Sequence, residues 1–233
     1  MGTPDAVHVA AAGAFEHVLN DLIPLFGREM GIPVRLAVAN AAGVIKHLEK
    51  RQPADVILTS AAGITQLVAA GLADASTATE VGRVGLGIAV APGLPSPDLT
   101  TAAAVRAALM SAARVAFIDP NGGGTSGPLI AKFFERLGII DHITKTGVLS
   151  KTGKDVVHAV VSGDATLGLT QATELIGAKG VQFAGYLPPE VQVVSVYSGA
   201  VSAYAQAPDA AWRFLQFLKS PAAVEAFRRA GWR

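Results

Sequence analysis

Apolar residues gather in short, nearly unbroken runs at 6–11, 34–39, 55–59, 84–91, 114–118, 146–149 and 166–170. Runs of this length read as strands covered on both faces. Between most of them the spacing changes to one apolar face every third or fourth residue, near 43–51, 62–71, 102–111, 127–138 and 153–162. The first such stretch carries Phe15, Val18, Leu19, Leu22, Ile23 and Phe26, the face of one buried helix. Pro24 falls inside it and is expected to kink that helix without ending it, because the spacing continues beyond. Strands alternating with helices predict an α/β protein built on mainly parallel sheets.

Two sheets are expected rather than one. The run at 84–91 follows about eighty residues of β/α units, and the pattern restarts after a proline-containing loop at 92–97. A long extended stretch at 191–203 then precedes helices at 207–219 and 221–229. This ordering predicts one lobe from residues 1–82 plus 196–233, and a second, inserted lobe from 83–195. No repeat of fixed period is present, so a solenoid is not expected.

Composition narrows the function. The 233 residues are 51% hydrophobic and 16% charged, with a formal charge of +1, which gives no electrostatic case for nucleic acid. No apolar run reaches the roughly 18 residues that span a bilayer. The absence of cysteine excludes disulfides, thiolate metal sites and cysteine nucleophiles. The five histidines show no metal-ligand spacing, and no metal or cofactor is expected. Residues 1–5 lack the basic start and apolar core of a signal peptide, which predicts a periplasmic protein if a leader has been replaced and a cytoplasmic one otherwise.

The chemistry concentrates where strands hand over to helices. After the strand at 114–118 comes Asp119-Pro120-Asn121-Gly122-Gly123-Gly124-Thr125-Ser126-Gly127, then a helix opening on Pro128. Glycines let backbone N–H groups approach a ligand, and a helix start favours negative charge. Gly124, Thr125 and Ser126 are therefore candidate anion contacts. Gly122, Gly124 and Gly127 match GxGxxG literally, yet the loop does not open the first βαβ unit and no acidic residue ends the next strand. A phosphate-binding P-loop would need Lys where Pro128 stands. Three further turns present small residues at a helix start: Gly13 and Ala14, Asn40 and Ala41, and Gly153 with Lys154. Lys151 and Lys154 offer positive charge beside the last of these. Gln171, just past the strand at 166–170, is placed to reach a cleft. Asp119 reads as a loop cap in preference to a catalytic base. Neither GxSxG nor HExxH occurs.

Several segments carry a family resemblance: VAAAGAFEHVLNDLIPLF, MGIPVRLAVANAAGVIKHLE, PADVILTS, GRVGLGIAVAPG, the AFIDP strand with its loop, and FLQFLKSPAAVEAFRRAGW. Together, over essentially the whole chain, they resemble the molybdate-type, class II periplasmic solute-binding proteins of ABC transporters. The resemblance implies a two-lobed Venus-flytrap fold, a small anionic ligand between the lobes and an ABC permease as partner. Molybdate binders place serine hydroxyls at the first two turns, where this chain has Ala14 and Ala41, and a ligand tyrosine where it has Gln171. Those departures imply a wider pocket than a tetrahedral oxyanion needs. Aconitate isomerase resembles the same broad family, which brings in di- and tricarboxylates. Two expectations therefore stand: a solute-binding protein for a small organic anion, or an isomerase of an unsaturated carboxylic acid using the same cleft.

Overall fold

The opening strand, β1 (Val7–Ala12), is buried along its length except at His8, as a strand covered on both faces should be. The structure is a computed structural model whose described residues are 6–233; the sequence start at 1–5 lies outside them. A 3₁₀ turn at Gly13–Phe15 leads into α1 (Glu16–Met30), which runs through Pro24 without breaking. There follow β2 (Val34–Ala39), α2 (Ala41–Glu49), β3 (Val56–Ser60) and α3 (Ala61–Ala69). The long β4 (Thr79–Val90) is followed by α4 (Ala102–Ser111), β5 (Val115–Ile118), α5 (Gly127–Arg136) and α6 (Ile140–Thr146). Next come β6 (Val148–Ser150), α7 (Gly153–Val161), β7 (Leu167–Gln171), α8 (Ala172–Leu175) and β8 (Gln182–Tyr186). The chain ends with β9 (Val194–Val201), α9 (Pro208–Phe217) and α10 (Pro221–Arg229).

The chain divides into two compact units, one taking the sequence up to Arg83 and again from Val196 to Arg233, the other running Val84–Ser195. In the first, β1 pairs in parallel with β2 on one side and β3 on the other, and β9 runs antiparallel to β3. Ile57, Leu48, Val44, Ile64 and Leu67 form a core on one side of this sheet. Phe26 packs edge-on against both Phe214 and Phe217 elsewhere in the unit. The second unit orders its strands β8–β4–β7–β5–β6. Here β5 pairs in parallel with β6 and β7, while β4 opposes both its neighbours. Its core includes Phe117, Phe133, Phe134, Ile130 and Val156, all essentially inaccessible. Each such aromatic or aliphatic side chain contributes about 1.5–3 kcal/mol through burial.

Two local differences from the sequence reading have simple causes. The strand expected at 146–149 starts later, because Thr146 closes α6 and Gly147 makes the turn. Gly147 sits so tightly that a Cβ there would lie 2.5 Å from the Phe117 ring and 2.6 Å from the Ile143 carbonyl. β8 was not expected; its sequence QFAGY opens on a polar residue and includes Gly185 at φ 149°, a weak strand signature.

The chain passes from one unit to the other through β4 and the start of β9. Arg83 and Arg233 exchange two backbone hydrogen bonds of 2.8 Å, and the Trp232 ring covers Gly82. In the second unit, Gln192 lies over Gly85, accepting the Leu86 N–H at 2.8 Å and donating to the Leu86 carbonyl at 3.1 Å. Each side of the crossing is thus fastened within its own unit.

Candidate functional site

In the first unit the parallel strands β2, β1 and β3 end side by side, and each hands over directly to a helical turn. After β1, Gly13 is half-buried and Ala14 is 4% exposed, so Ala14 can address a ligand through its backbone and not its methyl. The turn is anchored by Phe15, fully buried, whose ring lies 4.6 Å from that of Trp232 and 5.4 Å from that of Tyr197. After β2, the Asn40 side chain accepts the Gly43 N–H at 2.8 Å and caps α2, with Ala41 half-buried at its first position. After β3, Ser60 accepts the Gly63 N–H at 3.1 Å and caps α3 in the same way. The two turns share a local sequence, Asn40-Ala-Ala-Gly43 and Ser60-Ala-Ala-Gly63. In both a Cβ on the glycine would come within 3 Å of a side chain at the preceding strand end, Ala39 or Thr59. Ser60 is a site candidate that the sequence reading missed, although its likeness to the Asn40 turn was available in the letters.

In the second unit the neighbouring strands β7, β5 and β6 bring three turns to one edge of the sheet. The loop after β5 is built on Asp119, whose N–H donates to the Ser150 carbonyl at 2.8 Å and extends the ladder. Its carboxylate accepts the Asn121 N–H at 2.9 Å and its carbonyl the Gly122 N–H at 3.0 Å. Asp119 therefore caps the loop, as expected. Gly123 adopts φ 76°, a left-handed conformation suited to glycine. Gly127 presses on the Asp119 carbonyl, where a Cβ would lie at 2.5 Å.

The start of α5 has an unusual combination of features. Ser126, 4% exposed, stands at the cap position with helical backbone angles and makes no capping hydrogen bond from its side chain. Its first turn contains no acidic residue, and Pro128 contributes no N–H. Gly124 and Thr125 lead into it, both half-buried.

The start of α7 is the opposite case. Thr152 and Asp155 form a capping box, with the Asp155 carboxylate accepting both the Thr152 N–H and its hydroxyl at 2.9 Å. Gly153 is buried, and a Cβ there would overlap the carboxyl group of Glu174, lying 2.5 Å from both oxygens. The Thr170 hydroxyl donates to that carboxylate at 2.6 Å. Lys151 and Lys154 are exposed. Gln171 closes β7, 2% exposed, and its amide donates to the Ser195 hydroxyl at 2.8 Å. Gly124–Ser126, Gly153–Lys154 and Gln171 thus share one sheet edge in the second unit, as Gly13–Ala14 and Asn40–Ala41 do in the first. Glu174, Thr170 and Ser195 were not singled out in the sequence. Among the described residues, no group of three or more acidic or histidine side chains is placed to hold a metal, and no helix is long and apolar enough to cross a membrane.

Comparison with known proteins fits this arrangement. Aconitate isomerase from Pseudomonas sp. is 27% identical over 228 residues, covering 96% of this chain and 86% of that protein. The molybdate-binding protein ModA of Escherichia coli K12 is 24% identical over 233 residues, covering 97% and 88%. The solved periplasmic molybdate-binding protein of Azotobacter vinelandii superposes with a TM-score of 0.83 at 19% identity, covering 97% of this chain and 98% of that one. These likenesses establish the class II periplasmic-binding-protein fold. Residues 7–233 match the family described as bacterial extracellular solute-binding protein, and the chain belongs to that family.

Proposed function

We propose that this chain captures a small organic anion, a di- or tricarboxylate, and holds it chiefly by backbone N–H groups at helix starts. The observation that carries this reading is the start of α5, which has neither a side-chain cap nor an acidic residue and is led by Gly124, Thr125 and the buried Ser126. A helix start favours a nearby negative charge by about 0.3–1 kcal/mol, and each hydrogen bond to a charged group contributes roughly 1.5–3 kcal/mol. Several such donors together reach the micromolar range expected of a useful receptor. The turns at Ala14 and Ala41 supply backbone donors without hydroxyls, which suits a larger, planar-ended carboxylate better than a compact tetrahedral anion. Family membership supports delivery to an ABC permease and residence in the periplasm.

A second reading is favoured by the likeness to aconitate isomerase across 96% of the chain. The same donors would stabilise the charge that develops when a proton is moved beside a carboxylate. That reaction also needs a base. The candidates are Asp119, which accepts the Asn121 N–H through one carboxylate oxygen, Lys151 and Lys154.

Calorimetric titration of a bound carboxylate into Ser126→Ala and Ser150→Ala proteins tests the reading. Ser126→Ala is expected to weaken binding about five- to tenfold, the worth of about 1 kcal/mol, with Ser150→Ala close to unchanged. Equal, negligible effects would remove the α5 loop from the site.

A further inference from the structure

We infer that Asn121 is a self-modifying site: its side-chain amide is lost by cyclisation onto the Gly122 nitrogen, and the product disables the loop that opens α5. The modification needs no ligand, whereas its effect on binding rests on the anion-binding reading above.

The chain has three asparagines, at 20, 40 and 121, and they differ in their setting. Asn20 lies inside α1 and is followed by Asp21, whose side chain hinders attack by the next nitrogen. Asn40 is held as the α2 cap by the Gly43 N–H and is followed by Ala41. Asn121 is exposed, its side chain makes no hydrogen bond among the described residues, and Gly122 follows it. Glycine has no side chain to obstruct the closing ring.

The packing of the loop keeps that glycine in place. A Cβ on Gly122 would lie 3.3 Å from both the Cβ and the carbonyl oxygen of Asp119. Asp119 closes the turn by accepting the Asn121 N–H at 2.9 Å and the Gly122 N–H at 3.0 Å. Cyclisation therefore proceeds from the opened turn, with the Gly122 nitrogen released from the Asp119 carbonyl. An exposed loop opens in this way far more readily than a helix interior.

In the reaction the Gly122 nitrogen gives up its proton and bonds to the Asn121 Cγ. The Cγ–Nδ2 bond breaks, and that nitrogen leaves as ammonia, carrying the proton. Water then opens the cyclic imide at either carbonyl. Opening at Cγ leaves an aspartate. Opening at the main-chain carbonyl leaves an isoaspartate, whose backbone runs through Cβ and carries an extra methylene. Both products add a negative charge to the loop that leads through Gly124–Ser126 to the acid-free first turn of α5. The extra methylene falls inside the turn that Asp119 spans with two hydrogen bonds, so the isoaspartate form also displaces Gly123–Ser126.

The test follows the full chain during incubation at mildly alkaline pH, with peptide mass spectrometry at intervals. Conversion of amide to acid is expected at Asn121, with isoaspartate among the products, while Asn20 and Asn40 stay intact. No conversion at Asn121, under conditions that convert a free peptide of sequence DPNGGG, would overturn the site. So would equal conversion at all three asparagines. The converted protein is then separated by ion exchange and titrated with citrate in a calorimeter. Asn121→Asp, which adds the charge alone, is expected to weaken citrate binding about twofold to fivefold. The isoaspartate form should lose more, and Asn121→Ala incubated alongside should keep its affinity over time. Unchanged affinity in the converted protein would overturn the claimed effect on binding. If citrate and the other carboxylates fail to bind even the fresh, folded protein, the anion-binding reading fails, and the mass data alone decide the modification.

Discussion

Gln171 donates its side-chain amide to the hydroxyl of Ser195 across 2.8 Å, joining the end of β7 to the start of β9 through two buried side chains. Both lie in the second unit, and Ser195 is its last residue before the crossing. Replacing Gln171 with Leu leaves the Ser195 hydroxyl buried at 4% exposure without that donor. The expected loss is about 1–3 kcal/mol in urea unfolding. Ser195→Ala also removes the pair but leaves the longer amide side chain more freedom to find another partner, so it should cost less.

Asp55 is the most heavily engaged buried acid of the first unit. At 2% exposure, its carboxylate accepts the backbone N–H groups of His8 at 2.8 Å, Gln206 at 2.6 Å and Ala207 at 3.1 Å. One side chain thereby ties β1 and β3 to the segment entering α9. Asp55→Ala is expected to destabilise by about 3–5 kcal/mol in denaturant unfolding, because several buried donors lose a charged acceptor together. A change within 1 kcal/mol would show that those N–H groups find water at little cost.

Gly127→Ala should disturb the candidate site directly. The new methyl would lie 2.5 Å from the Asp119 carbonyl and 3.0 Å from the Pro120 Cα, both backbone atoms with little room to yield. Overpacking of this kind costs about 1–3 kcal/mol. Because the strain falls on the loop that carries Gly124–Ser126, anion affinity should fall as well. Melting temperature and calorimetry on the same sample separate the two effects.

Trp232 closes an aromatic cluster with Phe15, Tyr197 and Phe227 at ring separations of 4.6, 5.2 and 5.1 Å. It also covers Gly82 beside the crossing into the second unit. Trp232→Ala is expected to cost about 3–5 kcal/mol in equilibrium unfolding. The loss should be accompanied by greater exposure of the Gly13–Phe15 turn to hydrogen exchange.

What was legible in the sequence was mostly local. The apolar runs that became β1, β2, β3, β5 and β7 are continuous because these strands, apart from β2, are buried on both faces. β2 is the exception that an edge strand should be, with Arg35 exposed between half-buried neighbours. The helix starts were readable because small residues and caps leave a sequence mark, and Ser60 could have been found from its likeness to the Asn40 turn. Glu174 could not. Its contact with Gly153 spans 21 residues and depends on β5 lying between β6 and β7, an order that no periodicity encodes. Ser195 was hidden for the same reason, since its partner Gln171 is 24 residues away. Contacts of this kind arise through sheet order, whereas the helix-start turns are written in consecutive residues.

The central claim, that the chain binds a small organic anion, is tested most directly by a thermal-shift screen of molybdate, sulfate, citrate and both aconitate isomers, with proton NMR on every hit. A ligand bound only by the folded state raises the melting temperature with concentration, by about 2.7 kcal/mol of added stability at a hundred times its dissociation constant. A concentration-dependent rise with a di- or tricarboxylate, exceeding that with molybdate, is expected, together with an NMR spectrum of the acid that does not change. Conversion of the spectrum to that of an isomer would make the chain a catalyst, and stabilisation by molybdate alone would contradict the carboxylate assignment.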